Sequence, residues 1–114
     1  MTDTLTAPEY RATMAEKEMQ EAIRRAAIAH GYAVYHTHDS RHSPAGFPDV
    51  IAIKGGRVLV LELKAQRGRV SDAQWAWLAA WASTGATVAV VRPEPRDGEI
   101  SFDDALALIR GGQS

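Results

Sequence analysis

The chain has 114 residues, of which 46% are apolar and 24% charged, with a formal net charge of −1 and no cysteine. This length and composition predict a single globular domain over residues 1–114, with a frayed polar tail at residues 1–10. They exclude disulfides, thiolate metal sites and apolar runs of the roughly 20 residues that a membrane span needs, and with no secretory signal pattern a cytoplasmic protein without a membrane partner is expected.

The elements follow one another in the order α-β-β-β-α-β-α. An Ala-rich stretch with helical periodicity predicts a first helix, strand-like and loop-like runs follow, and Gly or Pro residues mark most boundaries. The predicted elements are a helix at 12–30, a strand at 32–37, a loop at 39–48, a hairpin at 49–64, a helix at 71–83, a strand at 86–91 and a helix at 101–110. This order predicts an α/β fold with one mixed sheet flanked by helices.

The hairpin carries the most informative residues. Gly55 and Gly56 separate two β-branched runs, which is typical of a two-residue turn whose central residues need positive φ. In that register Asp49 lies directly opposite Glu62. Because strand side chains alternate between faces, Lys64 shares the face of both acids.

Two carboxylates that face each other in an apolar sheet repel, so one of them must be protonated or a cation must lie between them. A hard divalent ion such as Mg²⁺ or Mn²⁺ suits oxygen ligands. Lys64 beside this pair can offset charge on a phosphate or hold an attacking water. The set predicts metal-dependent phosphodiester hydrolysis by Asp49, Glu62 and Lys64. The alternative is a pair of strands that merely end in solvated polar residues.

The first helix offers a third acid. Glu16 lies on the apolar stripe with Met19 and Ile23, whereas Glu18 points elsewhere. An acid on the sheet-facing stripe is unusual, so Glu16 is a candidate third carboxylate of the site. Alternatively, it sits at the solvated first turn, where acids favour the helix dipole.

Gln74 also has two interpretations. Ser71 and Gln74 match a capping box, which physical reasoning alone favours, yet Gln74 also begins the stripe that should pack on the sheet. Trp77 and Trp81 on that stripe are predicted core residues. Trp75 falls off the stripe and is expected to be exposed, where it could stack on a base, fill a subunit interface or simply remain a surface residue.

Basic residues and histidines flank the acidic pair. Five of the 13 Lys and Arg residues lie between residues 54 and 69, although a charge cluster is also compatible with a plain solvated face. His36 and His38 are two apart on a predicted strand, and a role beside the hairpin is favoured over a transition-metal site because no third ligand follows in pattern. The predicted nucleic-acid contacts are His36, His38, Arg41, Arg67 and Arg69.

Several of these residues occur together in a known order. They are Glu16, Tyr35-His36-Thr37, Ser40-Arg41, Gly46-Phe47-Pro48-Asp49, Glu62-Leu63-Lys64, Ser71-x-x-Gln74 and Trp77-Leu78. From about Glu16 to Arg92 the chain resembles the VRR-type nuclease domain of the PD-(D/E)XK superfamily, in the small stand-alone form found in phages and bacteria.

The resemblance implies a restriction-endonuclease-like fold and a Mg²⁺- or Mn²⁺-dependent endonuclease that acts on DNA. It implies that the metal ligands are Asp49, Glu62, the Leu63 backbone carbonyl and Glu16, although Glu18 lies close enough to compete for the last place. Lys64 and Gln74 would complete the catalytic set. It also implies structure-selective cleavage of four-way junction or flap DNA by a homodimer. The alternatives are a non-catalytic module that binds branched DNA and a structural phage protein with a decayed nuclease fold.

Overall fold

A computed structural model describes residues 15–37 and 43–111 of the chain. Its elements are α1 (Glu16–Ala29), β1 (Ala33–His36), β2 (Val50–Lys54), β3 (Arg57–Leu63), α2 (Asp72–Ala82), β4 (Thr87–Arg92), β5 (Ile100–Ser101) and α3 (Phe102–Ile109). The predicted order is confirmed, with β5 as an addition. Since β5 has only two residues, it shows no side-chain periodicity from which sequence could reveal it. The predicted tail at residues 1–10 and the predicted helix start at Ala12 lie outside the described residues.

The five strands form one mixed sheet in the order β1-β2-β3-β4-β5. The pairs β1–β2 and β2–β3 are antiparallel, whereas β3–β4 and β4–β5 are parallel. Helix α2 connects the parallel strands β3 and β4, as a crossover must. The predicted mixed α/β sheet is therefore confirmed.

The β2–β3 hairpin has the register that the sequence predicts. Lys54 pairs with Arg57 and Val50 pairs with Leu61 across the turn. Gly55 and Gly56 both have positive φ, at 54° and 82°, as a two-residue turn of this kind requires. The ladder ends at Val50, so Asp49 immediately precedes β2 and stands at the position opposite Glu62.

Helices cover both faces of the sheet, and β3 is buried between two hydrophobic clusters. Helices α1 and α3 pack on one face, in a cluster that contains Met19, Ile23, Leu59, Leu61, Leu63, Phe102 and Ile109. Helix α2 packs on the other face through Leu78, in a smaller cluster with Val60, Val70 and Val90. Because strand residues alternate, Glu62 and Lys64 follow Val60 onto the α2 face.

Helix α2 covers only part of its face. Trp81 is partly buried against the smaller cluster, and Trp77 is partly buried against Phe47 rather than fully enclosed, so the prediction of both as core residues was too strong. Trp75 is exposed, as expected from its place off the stripe. Within the described part of the chain, no helix combines the length and apolarity needed to cross a membrane.

Candidate active site

Asp49, Glu62 and Lys64 meet where β2 begins and β3 ends. The Leu63 N–H donates to Asp49 Oδ2 over 2.8 Å, which fixes the aspartate beside β3. Glu62 is 1% exposed and Lys64 is 8% exposed. The Lys64 Nζ lies 3.9 Å from Glu62 Oε2, and the Lys64 N–H donates to the Val91 carbonyl of β4. The hairpin register and the parallel β3–β4 pairing thus bring two acids and one amine together on one face.

This acidic pair does not carry two charges easily. The pKa of Glu62 is raised to about 9, mainly by burial and also by the negative charge of Asp49. The Lys64 ammonium acts in the opposite direction. Burial also raises the pKa of Asp49, although the Leu63 N–H bond opposes that rise. In the absence of a metal ion, and even with the Lys64 ammonium nearby, the pair therefore retains one proton at neutral pH.

The donor set fits a hard divalent cation. Glu62 Oε2 accepts from the Gln74 side chain, whereas the buried Glu62 Oε1 accepts from no donor among the described residues, and the metal-free pair is held by a proton shared between the Asp49 and Glu62 carboxyl groups. A divalent metal ion beside Asp49 and Glu62 would replace that proton and would take both ionised carboxylates as ligands. In residues 15–37 and 43–111, no three acidic or histidine side chains cluster closely enough to hold a metal by themselves. Magnesium commonly uses one or two carboxylates plus water and phosphate oxygens, so a pair is sufficient.

Helix α1 places Glu16, rather than Glu18, beside the site. Glu16 Oε2 lies 3.4 Å from the Ala65 N–H, just after Lys64, and its charge contributes to the raised pKa of Glu62. Glu18 Oε1 instead accepts from the Ala15 N–H at the start of the helix, over 2.9 Å. Glu16 therefore borders the acidic pair, and its role as a metal ligand stays a prediction.

Gln74 completes the capping box and also contacts Glu62, and its catalytic role stays a prediction. Its Oε1 accepts from the Ser71 N–H over 2.8 Å while the Ser71 hydroxyl accepts from the Gln74 N–H, which completes the capping box. Its Nε2 donates to Glu62 Oε2 over 2.9 Å. Because the cap fixes the amide group, the same side chain also fixes the orientation of the Glu62 carboxylate.

The tight loop that precedes Asp49 in the chain packs against the first turn of α2. Gly46 has a φ of +79°, and a Cβ there would lie 2.5 Å from the Ala73 carbonyl carbon, so only glycine fits. Phe47 packs edge-on between Tyr35 and Trp77, with ring centroids 6.1 and 4.9 Å away. Because the loop is held against α2, the chain enters β2 at the position that points Asp49 toward Glu62.

Three polar residues near the site were not singled out by sequence reasoning. The Thr37 N–H donates to the Asp49 carbonyl over 3.0 Å, and Gln20 Nε2 lies 3.4 Å from the same oxygen. Arg92 is buried at the end of β4. Gln20 could have been found as a polar residue on an apolar stripe, and Arg92 as a charge that ends an apolar strand; Thr37 was named only as part of the Tyr35-His36-Thr37 motif, which assigned it no contact with Asp49.

The predicted nucleic-acid contacts fall into three groups. Arg67 and Arg69 are exposed on the loop that follows Lys64. His36 lines a groove of about 700 Å³ between α1 and the end of β1, together with Lys17, Gln20, Glu21, Arg24 and Thr37. Among the described residues, Asp49 and Glu62 do not line this groove, and Thr37 and Gln20, which do, contact the Asp49 carbonyl. His38 and Arg41 lie outside the described residues.

Most of the chain matches a known protein family. Residues 4–95 match the family model described as the VRR-NUC domain, which covers more than half of the chain and extends past Lys64, Gln74 and Arg92. No curated protein and no solved structure matches the chain.

Proposed function

The chain belongs to the VRR-NUC domain family, and on that premise we propose that it is a Mg²⁺- or Mn²⁺-dependent endonuclease that hydrolyses phosphodiester bonds in DNA. Membership of this family implies a nuclease-type function with DNA as the partner. The observation that carries the finer proposal is the close pair formed by the partly buried Asp49 and the buried Glu62, whose carboxyl groups share a proton in the metal-free protein, with the Lys64 ammonium on the same face.

Asp49 and Glu62, with the Leu63 backbone carbonyl, are the groups that would hold the metal. A bound Mg²⁺ or Mn²⁺ supplies charge stabilisation at the phosphate and lowers the pKa of an attacking water. Lys64 balances the negative charge that develops on the phosphate during attack. The Leu63 N–H and the Gln74 amide hold one oxygen of each carboxylate, so the remaining oxygens face the reaction without reorganisation.

Cleavage assays with wild-type protein test this function directly. Duplex, flap and four-way junction DNA are each incubated with Mg²⁺, Mn²⁺ or EDTA. We expect cleavage with either metal, none with EDTA, recovery when Mg²⁺ is added in excess, and none from Asp49→Asn under any condition. Cleavage that persists in EDTA or in Asp49→Asn would overturn the site assignment. Metal-independent binding of branched DNA without cleavage would favour the non-catalytic binding module.

We also propose that the substrate is branched DNA and that the protein acts as a homodimer. A two-fold dimer presents two identical sites to two strands, which matches the symmetry of a four-way junction. The sheet face that α2 leaves open is the proposed contact with the second copy, because it carries exposed apolar side chains. Ile53 is 48% exposed there, and Tyr35 lies on the same face of the neighbouring strand.

The dimer has its own test. Ile53→Glu is expected to convert the dimer to a monomer, because a charge at a buried apolar contact leaves an uncompensated desolvation cost. Ile28→Glu is the matched control: Ile28 is similarly exposed, at 52%, but lies on α1 away from this face. Sedimentation velocity on both variants at equal concentration measures the effect. A wild-type monomer, or a dimer that Ile53→Glu leaves intact, would contradict the proposal.

A further inference from the structure

Arg92 is a buried cation that the proposed reaction does not use. It ends β4, is 1% exposed, and forms a two-pronged ion pair with Glu99, in which Nε donates to Oε1 over 2.8 Å and Nη2 to Oε2 over 3.0 Å. Glu99 lies beyond residue 95, where the family match ends. A segment outside the matched region thus fixes the guanidinium.

The third nitrogen of Arg92 holds the loop that follows Lys64. The two N–H groups of Nη1 donate to three backbone carbonyls, with one N–H shared between two of them: Ala65 at 3.0 Å, Gln66 at 3.2 Å and Gly68 at 2.6 Å. Gln66 strengthens the attachment, because its side-chain amide donates to the Glu94 carbonyl and its Oε1 accepts from the Glu94 N–H. The loop is therefore clamped to the segment between β4 and β5.

The clamped loop packs against two site residues. A Cβ at Gly68 would lie 3.3 Å from Lys64 Cδ and 3.5 Å from Glu16 Oε2, so the bare backbone of this glycine lies directly over both side chains. The Ala65 N–H is the group that Glu16 approaches. Lysine has a flexible four-carbon stem with about 2 kcal/mol of rotamer entropy, so a fixed ammonium needs such a cover.

We propose that Arg92, held by Glu99, is a positioning residue for Lys64, acting through the loop of residues 65–68. This inference rests on the proposed function, in which the Lys64 ammonium acts at the phosphate. Lysine cannot replace arginine here, since one ammonium group has three donors on a single nitrogen and cannot bond both carboxylate oxygens and three carbonyls. Opening the clamp would expose Lys64 and let its ammonium move without changing the carboxylate pair.

Chemical reactivity of the lysines tests the clamp without any nuclease activity. The chain contains three lysines, Lys17, Lys54 and Lys64, which can be acylated and quantified by peptide mass spectrometry. In Arg92→Lys and in Glu99→Gln, the Lys64 rate should rise at least about tenfold relative to Lys54. Arg25→Gln is the control, because it removes an exposed arginine that pairs with Glu21 on α1. An unchanged Lys64 rate in both folded variants overturns the proposal.

A double-substitution cycle then separates positioning from general support. With DNA as substrate, Arg92→Lys should lower kcat at least about tenfold with little change in KM. In the Lys64→Ala background the same substitution should lower kcat less than about twofold, because the residue through which Arg92 acts is absent. Losses that multiply independently overturn the proposal. If wild-type protein cleaves no DNA, the proposed function fails, while the lysine rates still decide whether the clamp holds Lys64.

Discussion

Replacing Glu62 with glutamine is expected to make the metal-free protein more stable at pH 8 and to lower cleavage more than about 100-fold. The raised pKa of about 9 means that folding keeps a proton on Glu62 that the unfolded chain loses near pH 4.5. The folded state then binds more protons than the unfolded state between these values, so the free energy of unfolding falls as pH rises. Glutamine removes this loss and keeps a polar group opposite Gln74.

Urea unfolding in EDTA at pH 5 and pH 8 measures the stability effect. The gain from Glu62→Gln should be small at pH 5 and at least about 2 kcal/mol at pH 8, below the roughly 5 kcal/mol that a full pKa shift over this range allows. Glu99→Gln should instead destabilise the protein by nearly the same amount at both pH values, because Arg92 lowers the pKa of Glu99 and the contribution of its charge to stability is lost only below the ordinary pKa of 4.5. Equal pH dependence in both variants would contradict the electrostatic assignment.

Metal addition gives the complementary result. Saturating Mg²⁺ should raise the Tm of the wild-type protein, because a ligand that binds only the folded state stabilises it, and should have little effect on Glu62→Gln. Because Glu62→Gln removes a direct metal ligand, cleavage should fall by more than the 10- to 100-fold that is usual when a group that only supports a ligand is removed. The Glu62→Gln variant would then be more stable and less active than the wild-type protein. This combination is expected where two carboxylates are held close together for function at a cost in stability. Normal cleavage by the Glu62→Gln variant would show that Glu62 does not belong to the active site.

Gly46→Ala is expected to destabilise the protein by about 3 kcal/mol. The substitution places a Cβ 2.5 Å from the Ala73 backbone and adds the strain of a positive φ, at roughly 1–2 kcal/mol for strain and 1–3 kcal/mol for overpacking. The loop must move away from α2, which also displaces Asp49 from Glu62. We therefore expect a fall of about 10 °C in Tm and a loss of cleavage in the fraction that remains folded.

Gly56→Ala is the matched control for this effect. Its φ of +82° is nearly that of Gly46, but a Cβ there would meet nothing within 4 Å. It should cost only the conformational strain, about 1–2 kcal/mol, and leave cleavage unchanged. Denaturant unfolding of both variants isolates the contact between the loop and α2. Equal losses at the two positions would show that this contact contributes nothing.

The sequence determined the acidic pair and its register. A Gly-Gly turn of two residues and the two-residue period of a strand fix which side chains oppose each other, so Asp49, Glu62 and Lys64 could be placed on one face by counting. The mixed sheet with flanking helices followed in the same way from local periodicity. These properties depend on neighbours in the chain, which is why one sequence is sufficient to predict them.

Only the tertiary structure decided how distant segments meet at this pair. Glu16 and Glu18 are two residues apart on α1, and the choice of Glu16 depended on where the loop at Ala65 lies against that helix. Gln74 could cap α2 or contact Glu62, and packing of α2 on the sheet lets it do both. The Arg92–Glu99 clamp joins segments whose spacing has no periodic signature. Contacts of this kind arise from the packing of complete elements, so local sequence pattern contains no record of them.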